Sequence, residues 1–398
     1  MRPPLARAIV AGVQILTLSV WFSVSAVVPS LRVEWEISAA AAVWLTGAVQ
    51  LGFVVGAIGS TSLNLPDRYK PHRVLAASAA LAAICTLCLA LFAHSLAAAL
   101  PLRFLTGMFL AGVYPVGIKL MASWSERRDR GRAMGMLLAA LTLGSILPHL
   151  ISGLGRLPWQ AVLATAAAIG MVGALTSAIV IRPGPHLAAT APSRNARYAL
   201  TMFTERGPRL ANLGYFGHMW ELYALWTWIP AFLLASPAAA DLPASAEIVV
   251  FLTMGVAGAL GCLLGGWGSD RYGRSPAAVV ALAISGACCL LAPLAFDAGP
   301  AVLLAFCAVW GAAVIADSGV FSTSLSEAAD PRYVGTALTA QTAIGFALTV
   351  VSIQIIPLVA DTIGWRFAFL VLAPGPLLGA IAMRALGSRP RYRTKEHT

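Results

Sequence analysis

Charge is scarce in this sequence. Asp, Glu, Lys and Arg make up 11% of its 398 residues, where an ordinary soluble domain carries about a quarter. Acidic residues are scarcest, 16 against 27 Lys and Arg. A chain this poor in charge cannot cover a water-facing surface of its size, so a bilayer must cover the rest. Cysteine is sparse too: Cys85, Cys88, Cys262, Cys288, Cys289 and Cys307 all fall within apolar runs, with no disulfide framework and no zinc-ligand spacing. The C-x-x-C at Cys85 and Cys88 reads as two small packing residues. Also missing are a glycine-rich phosphate loop at a helix entry, a metal-ligand cluster, and a Ser/His/Asp set that spacing would bring together. These gaps argue against an enzyme and an ATP-driven pump, and no cofactor is expected.

What the sequence has is apolar length. Hydrophobic residues are 59% of the chain and the mean hydropathy is +0.81. Twelve apolar spans are expected, over 7–29, 40–62, 74–94, 97–121, 133–154, 160–181, 210–234, 247–267, 276–296, 300–322, 335–357 and 365–386. Each meets the roughly 20 residues that a helix needs to cross the hydrocarbon. Strands of a membrane barrel would be half as long and strictly alternating. The first span reads as a retained helix rather than a cleaved leader. The expected fold class is an all-α membrane protein with twelve transmembrane helices.

Charge orients the spans. With the N-terminus in the cytoplasm, 22 Lys and Arg fall in cytoplasmic segments, against Arg32, Arg156 and Arg366 on the opposite face. That asymmetry predicts cytoplasmic N- and C-termini. It also accounts for the net charge of +11 through anionic lipid rather than nucleic acid. Arg far outnumbers Lys, which suggests a GC-rich bacterial source and a plasma (inner) membrane location.

The polar stretch 182–209, a central cytoplasmic loop, divides the chain into 1–181 and 210–398, the latter ending in a short basic tail. Landmarks recur across it. Asp67-Arg68-Tyr69 returns as Asp270-Arg271-Tyr272, Glu126 and Asp129 as Glu327 and Asp330, and Trp159 as Trp365. The nearly constant offset points to a duplicated six-helix unit.

Gly266-Trp267-Gly268-Ser269-Asp270-Arg271-Tyr272-Gly273-Arg274 resembles the G-x-x-x-D-R-x-G-R loop signature of the major facilitator superfamily. The copy after the second span keeps Asp67, Arg68 and Arg73, with Leu63 and Lys70 at the glycine positions. Arg103-Phe104-Leu105-Thr106-Gly107 and Arg130-Gly131-Arg132 resemble further family patterns. The resemblance covers essentially the whole chain. It implies two six-helix bundles around a central cavity, a small solute bound near the midplane, alternating access, and a functional monomer. It also implies a cytoplasmic latch formed by Asp67, Arg68, Arg73, Gly266, Asp270, Arg271, Gly273 and Arg274. The glycines would permit a tight turn and close approach, and the Asp would face a helix N-terminus.

Ionisable groups inside spans each need a reason. Arg103, in the fourth span, either handles protons or an anion, or bonds backbone carbonyls. In the seventh span His218 and Glu221 are three residues apart and share a helix face. They either load and release a proton or form a buried lock between helices; Tyr215 lies beside them. Asp317 serves as a gate or pairing residue, or lines the cavity. Tyr114, Gln14 and Gln341 line the cavity or bond neighbouring helices. The fifth span lacks the G-x-x-x-G-P-x-x-G-G stretch of drug/proton antiporters. Overall the chain resembles bacterial permeases for small organic anions, such as the cyanate-permease-like group. The expected function is secondary transport of a small solute, proton-coupled. Drug efflux on the same fold and a transporter-derived receptor are the alternatives.

Overall fold

In the computed structural model the described residues are 2–63, 65–126, 129–155, 157–187, 200–330 and 333–388. Among them the regular structure is entirely helical. A backbone in hydrocarbon has no water to bond, so it must satisfy its N–H and C=O groups within each helix.

Ten helices are long and apolar enough to cross a membrane. They are α2 (Ala40–Ser62), α3 (Pro71–Phe92), α4 (Leu96–Ser123), α5 (Arg130–Leu154), α6 (Trp159–Ile179), α8 (Ala246–Tyr272), α9 (Arg274–Phe296), α10 (Pro300–Ala328), α11 (Val334–Ile363) and α12 (Trp365–Gly387). Two more lie outside that set: the shorter apolar α1 (Pro3–Leu18) and the 30-residue α7 (Arg206–Ala235), which carries Asn212, His218 and Glu221. Starts follow local chemistry. Pro71 and Pro300 stand in the first turns of α3 and α10, where a missing N–H costs nothing. The Ser95 and Ser245 hydroxyls accept from first-turn amides of α4 and α8.

The first span differs from expectation. A continuous helix over 7–29 is not observed: α1 stops at Leu18, and the chain resumes as a short 3-10 turn, Ser25–Val27, and a helix, Val28–Glu34. Side chains compete for the backbone there. Ser19 Oγ donates to the Leu16 and Ala166 carbonyls and Ser23 Oγ to Val20, while Arg103 takes the Val20 and Trp21 carbonyls.

The first six helices pack mainly on one another, α3 against α6 and α4, α2 against α4, and α1 against α5 and α6. The last six do likewise, with α7 on α12 and α11, α9 on α12 and α10, and α8 on α10. Two pairs chiefly join the sets, α2 with α11 and α5 with α8. Small residues set the closest crossings. A methyl group on Gly52 or Gly56 would stand 1.9 or 2.2 Å from the Phe104 or Met108 carbonyl oxygen of α4. On Gly261 or Gly265 it would stand 2.0 Å from those of Ala312 or Ala316 in α10. The α2–α4 and α8–α10 crossings thus use the same device, a structural counterpart of the sequence repeat.

Candidate functional site

Arg103 lies in α4 with no exposed surface. Its Nε donates to the Leu45 carbonyl at 3.2 Å, and its two terminal nitrogens to Val20 at 3.2 Å and Trp21 at 2.7 Å. The guanidinium therefore ties the break after α1 to the start of α2. No carboxylate among the described residues pairs with it. Gln14 does similar work: its Nε2 donates at 3.2 Å to the Val113 carbonyl, at the interruption of α4 ahead of Pro115, an oxygen that also accepts the Gly117 amide.

A third break lies at Asp317, between the two segments of α10. It sets Asp317 and Ser318 against the two ring nitrogens of His218. His218 Nδ1 is 2.9 Å from Asp317 Oδ1, and Nε2 is 2.8 Å from Ser318 Oγ. His218 and Asp317 are 2% and 1% exposed. An imidazole held between a carboxylate and a hydroxyl can take up or release a proton with little motion.

Glu221 turns away from this pair. Its Oε1 accepts from Ser285 Oγ at 2.6 Å, Trp310 Nε1 at 2.6 Å and Cys289 Sγ at 3.3 Å. The carboxyl thus joins α7 to α9 and α10. The shared helix face expected of His218 and Glu221 does not become a contact between them: the first binds the break in α10, the second the interior behind it. Gln341 also lies in a helix–helix contact, its Nε2 donating to Asn212 Oδ1 at 2.8 Å.

Tyr114 and Tyr215 line two neighbouring cavities at the junction of the two helix sets. One, of about 190 Å³, takes its polar lining from Ser60, Thr61, Ser322, Thr339, Thr342 and these two tyrosines, with no charged residue among the lining. The other, about 20 Å³, adds His218, Ser318, Tyr223 and Phe346.

Rings close the centre on the far side. Trp21 and Phe22 from the broken first span, Phe53 from α2, Tyr223 and Trp226 from α7, and Phe346 from α11 form one cluster. Phe53 and Phe346 stack at 4.1 Å between centroids, and Trp21 stacks on Tyr223 and Phe346 at 5.8 Å each. Such geometry adds to plain burial. The antiparallel α2–α11 seam passes from a Thr61–Thr339 hydroxyl bond of 2.9 Å, past the larger cavity, to the Phe53–Phe346 stack and on to Gly47 beside Gln354.

The α5–α8 seam carries the loop signature. Asp270 Oδ1 accepts from the Gly131 amide at 3.1 Å and Oδ2 from the Arg132 amide at 2.9 Å, so the carboxylate sits on the N-terminus of α5. Gly266 lets the backbones meet: a methyl there would stand 2.6 Å from the Gly131 carbonyl oxygen. Gly273 has φ +95°, open to glycine and strained for other residues. Lys70, at the matching place of the first copy, has φ −61°. Arg274 pairs with Glu327 of α10, and Arg271 lies over the Tyr272 ring. In the first copy Arg68 lies over Tyr69 and Arg73 is exposed, while the Asp67 side chain lies outside the described residues.

The structure thus brings Tyr114, Tyr215, His218 and Asp317 together, and puts Arg103, Gln14, Gln341 and Glu221 into contacts between helices. The density of rings in the seventh span marks Tyr223 and Trp226, but no sequence signal marked Trp21, Phe22, Phe53 and Phe346 or the partners of Glu221, because a lone Phe, Ser or Trp in an apolar span looks the same whether it faces lipid or core.

The profile of the Major Facilitator Superfamily matches residues 10–353. A protein of Cupriavidus pinatubonensis named "Probable 4-methylmuconolactone transporter" is 28% identical over 266 residues, 64% of this chain and 60% of its own. The 4-hydroxybenzoate transporter PcaK of Pseudomonas aeruginosa is 27% identical over 282 residues, 62% of this chain and 61% of its own. The chain thus spans about three fifths of the length of these relatives. The structure of the proton:xylose symporter XylE, 15% identical, superposes with a TM-score of 0.72 over 96% of this chain and 94% of that one. Together with the loop signature on the α5–α8 seam, these matches show that the chain belongs to the Major Facilitator Superfamily.

Proposed function

We propose that this protein is a secondary transporter of a small organic acid, working by alternating access and coupled to protons. The observation that carries the reading is the pair of cavities shared by Tyr114 and Tyr215. They lie between the two helix sets, beside the His218–Asp317 pair, with the ring cluster on one side and the Thr61–Thr339 and Asp270–α5 contacts on the other. A carrier needs a central site with a closure on each side. The cavity suits a solute about the size of one ring, and two relatives are named for solutes of that kind.

In this reading the chain crosses the plasma (inner) membrane twelve times, with α1 and α7 completing the ten long apolar helices and both termini cytoplasmic. Residues 1–181 and 210–398 form two six-helix bundles joined by the loop 182–209, and a monomer suffices. Rocking of the bundles parts either the ring cluster or the contacts at the Thr61–Thr339 and Asp270 ends of the two seams. The loop-signature residues, Asp67, Arg68 and Arg73 with those after α8, act as the latch on the cytoplasmic side. His218 carries the proton, with Asp317 and Ser318 bonded to its two ring nitrogens. Tyr114 and Tyr215 hold the solute. Arg103, Gln14, Gln341 and Glu221 shape the bundles around it.

The test is uptake of radiolabelled 4-hydroxybenzoate into proteoliposomes under an imposed pH gradient. Uptake should follow the gradient in the wild type. His218→Gln should lose that dependence while still exchanging solute between the two faces. Uptake that ignores the gradient would remove the coupling, and absence of both uptake and exchange for small organic acids would remove the substrate class.

A further inference from the structure

The eleven tryptophans of this chain do not share one fate. Trp124, Trp159, Trp220, Trp228 and Trp310 each donate their indole N–H to a protein oxygen. Trp21 and Trp226 do not. They are 1% and 0% exposed, and neither N–H has a protein acceptor. Trp35, in a peripheral contact with Trp159, is a further buried indole N–H without a protein acceptor. An indole N–H can only donate, and burying it unpaired costs stability.

The two orphan indoles flank one residue. Trp21 lies 5.8 Å from the Tyr223 ring and Trp226 lies 6.0 Å from it, and Tyr223 lines the small cavity beside His218. A third orphan is close by. Gln50 has no exposed surface, neither atom of its amide has a partner, and it sits one turn from Phe53, whose ring touches Trp21. Three unpaired donors thus collect around the rings that close the central site. Behind them Arg103 holds the Val20 and Trp21 carbonyls with a positive charge that no carboxylate among the described residues neutralises. Uncharged donors with a buried positive charge at their back suit an anion.

We infer that the acid group of the solute is received by the N–H groups of Trp21, Trp226 and Gln50 when the ring cluster parts. The inference rests on the organic-acid reading and adds where the acid group goes. The cavity that Tyr114 and Tyr215 line has hydroxyl groups and no fixed charge, so it takes the body of the solute. The carboxylate is exchanged between that cavity and the three donors as the rings open. In the closed cluster the donors go unpaired, and binding an anion removes that cost.

The test uses purified full-length protein in detergent, with 4-hydroxybenzoate and its uncharged analogue 4-hydroxybenzamide as probes, read by ligand-induced shifts in thermal unfolding. Trp21→Phe, Trp226→Phe and Gln50→Leu remove a donor and keep an apolar side chain. Each should weaken the acid by about tenfold or more, as expected for losing a hydrogen bond to a charged group, and leave the amide nearly unchanged. Acid affinity within about twofold of wild type in all three variants would overturn the inference and leave the organic-acid reading standing. Equal loss of acid and amide would also overturn it, because the donors would then be structural. A wild type that binds neither 4-hydroxybenzoate nor other small organic acids would overturn both.

Discussion

Gly266 offers a sharp test of the latch, because the structure supplies its own control two residues away. A methyl group at Gly266 would stand 2.6 Å from the Gly131 carbonyl oxygen and 3.0 Å from the Gly135 Cα, both backbone atoms of α5. Backbone cannot swing aside as a flexible side chain can, so Gly266→Ala must push α8 off α5 by several tenths of an ångström. Overpacking of this kind costs about 1–3 kcal/mol. The cost falls on the closed seam and vanishes once the helices part. It should therefore raise the open population by about fivefold to about 150-fold. Gly268, on the same helix, has nothing within 4 Å of an added methyl, so Gly268→Ala should change nothing. The assay is the labelling rate of Thr342→Cys, in the larger of the two cavities, in a background without the six native cysteines. Gly266→Ala should label faster by that factor and Gly268→Ala at the parent rate. A parent rate in Gly266→Ala, or equal acceleration in both, would refute the close-approach account of this seam.

Two further outcomes follow from the buried polar contacts. Arg103→Ala leaves the Leu45, Val20 and Trp21 carbonyls without their donor and opens a hole where no surface was exposed. It should cost about 3 kcal/mol or more, seen as a large drop in the thermal midpoint in detergent, and a wild-type midpoint would show that the break after α1 does not depend on it. Glu221→Gln keeps an acceptor oxygen for Ser285, Trp310 and Cys289 and should melt within a few degrees of wild type. Glu221→Leu orphans those donors at about 1–3 kcal/mol each. If the Gln variant falls as far as the Leu variant, the acid proton or charge of Glu221 matters beyond this contact.

Much of the fold was legible in order along the chain. Apolar runs mark spans because a bilayer demands about the same helix length every time, and Trp159 and Trp365 do open matching helices. The loop signature was legible because glycine and a helix-capping carboxylate are local requirements, and Asp270 on the α5 N-terminus meets the physical reading given to it. The breaks were less so. Nothing within 7–29 alone shows that Arg103, more than seventy residues on, will take the carbonyls of Val20 and Trp21.

The sequence by itself determined that the chain lives in a bilayer, how its halves repeat, and which ionisable groups had to be explained, because these depend on composition and on neighbours along the chain. Only the tertiary structure decided the partner of each group. It separated His218, facing Asp317, from Glu221, facing Ser285 and Trp310, although the two share a helix turn. It also left Trp21, Trp226 and Gln50 unpaired around one cluster of rings. Pairing of buried polar groups is set by which helices meet and at what register, and a run of apolar residues carries almost no record of that.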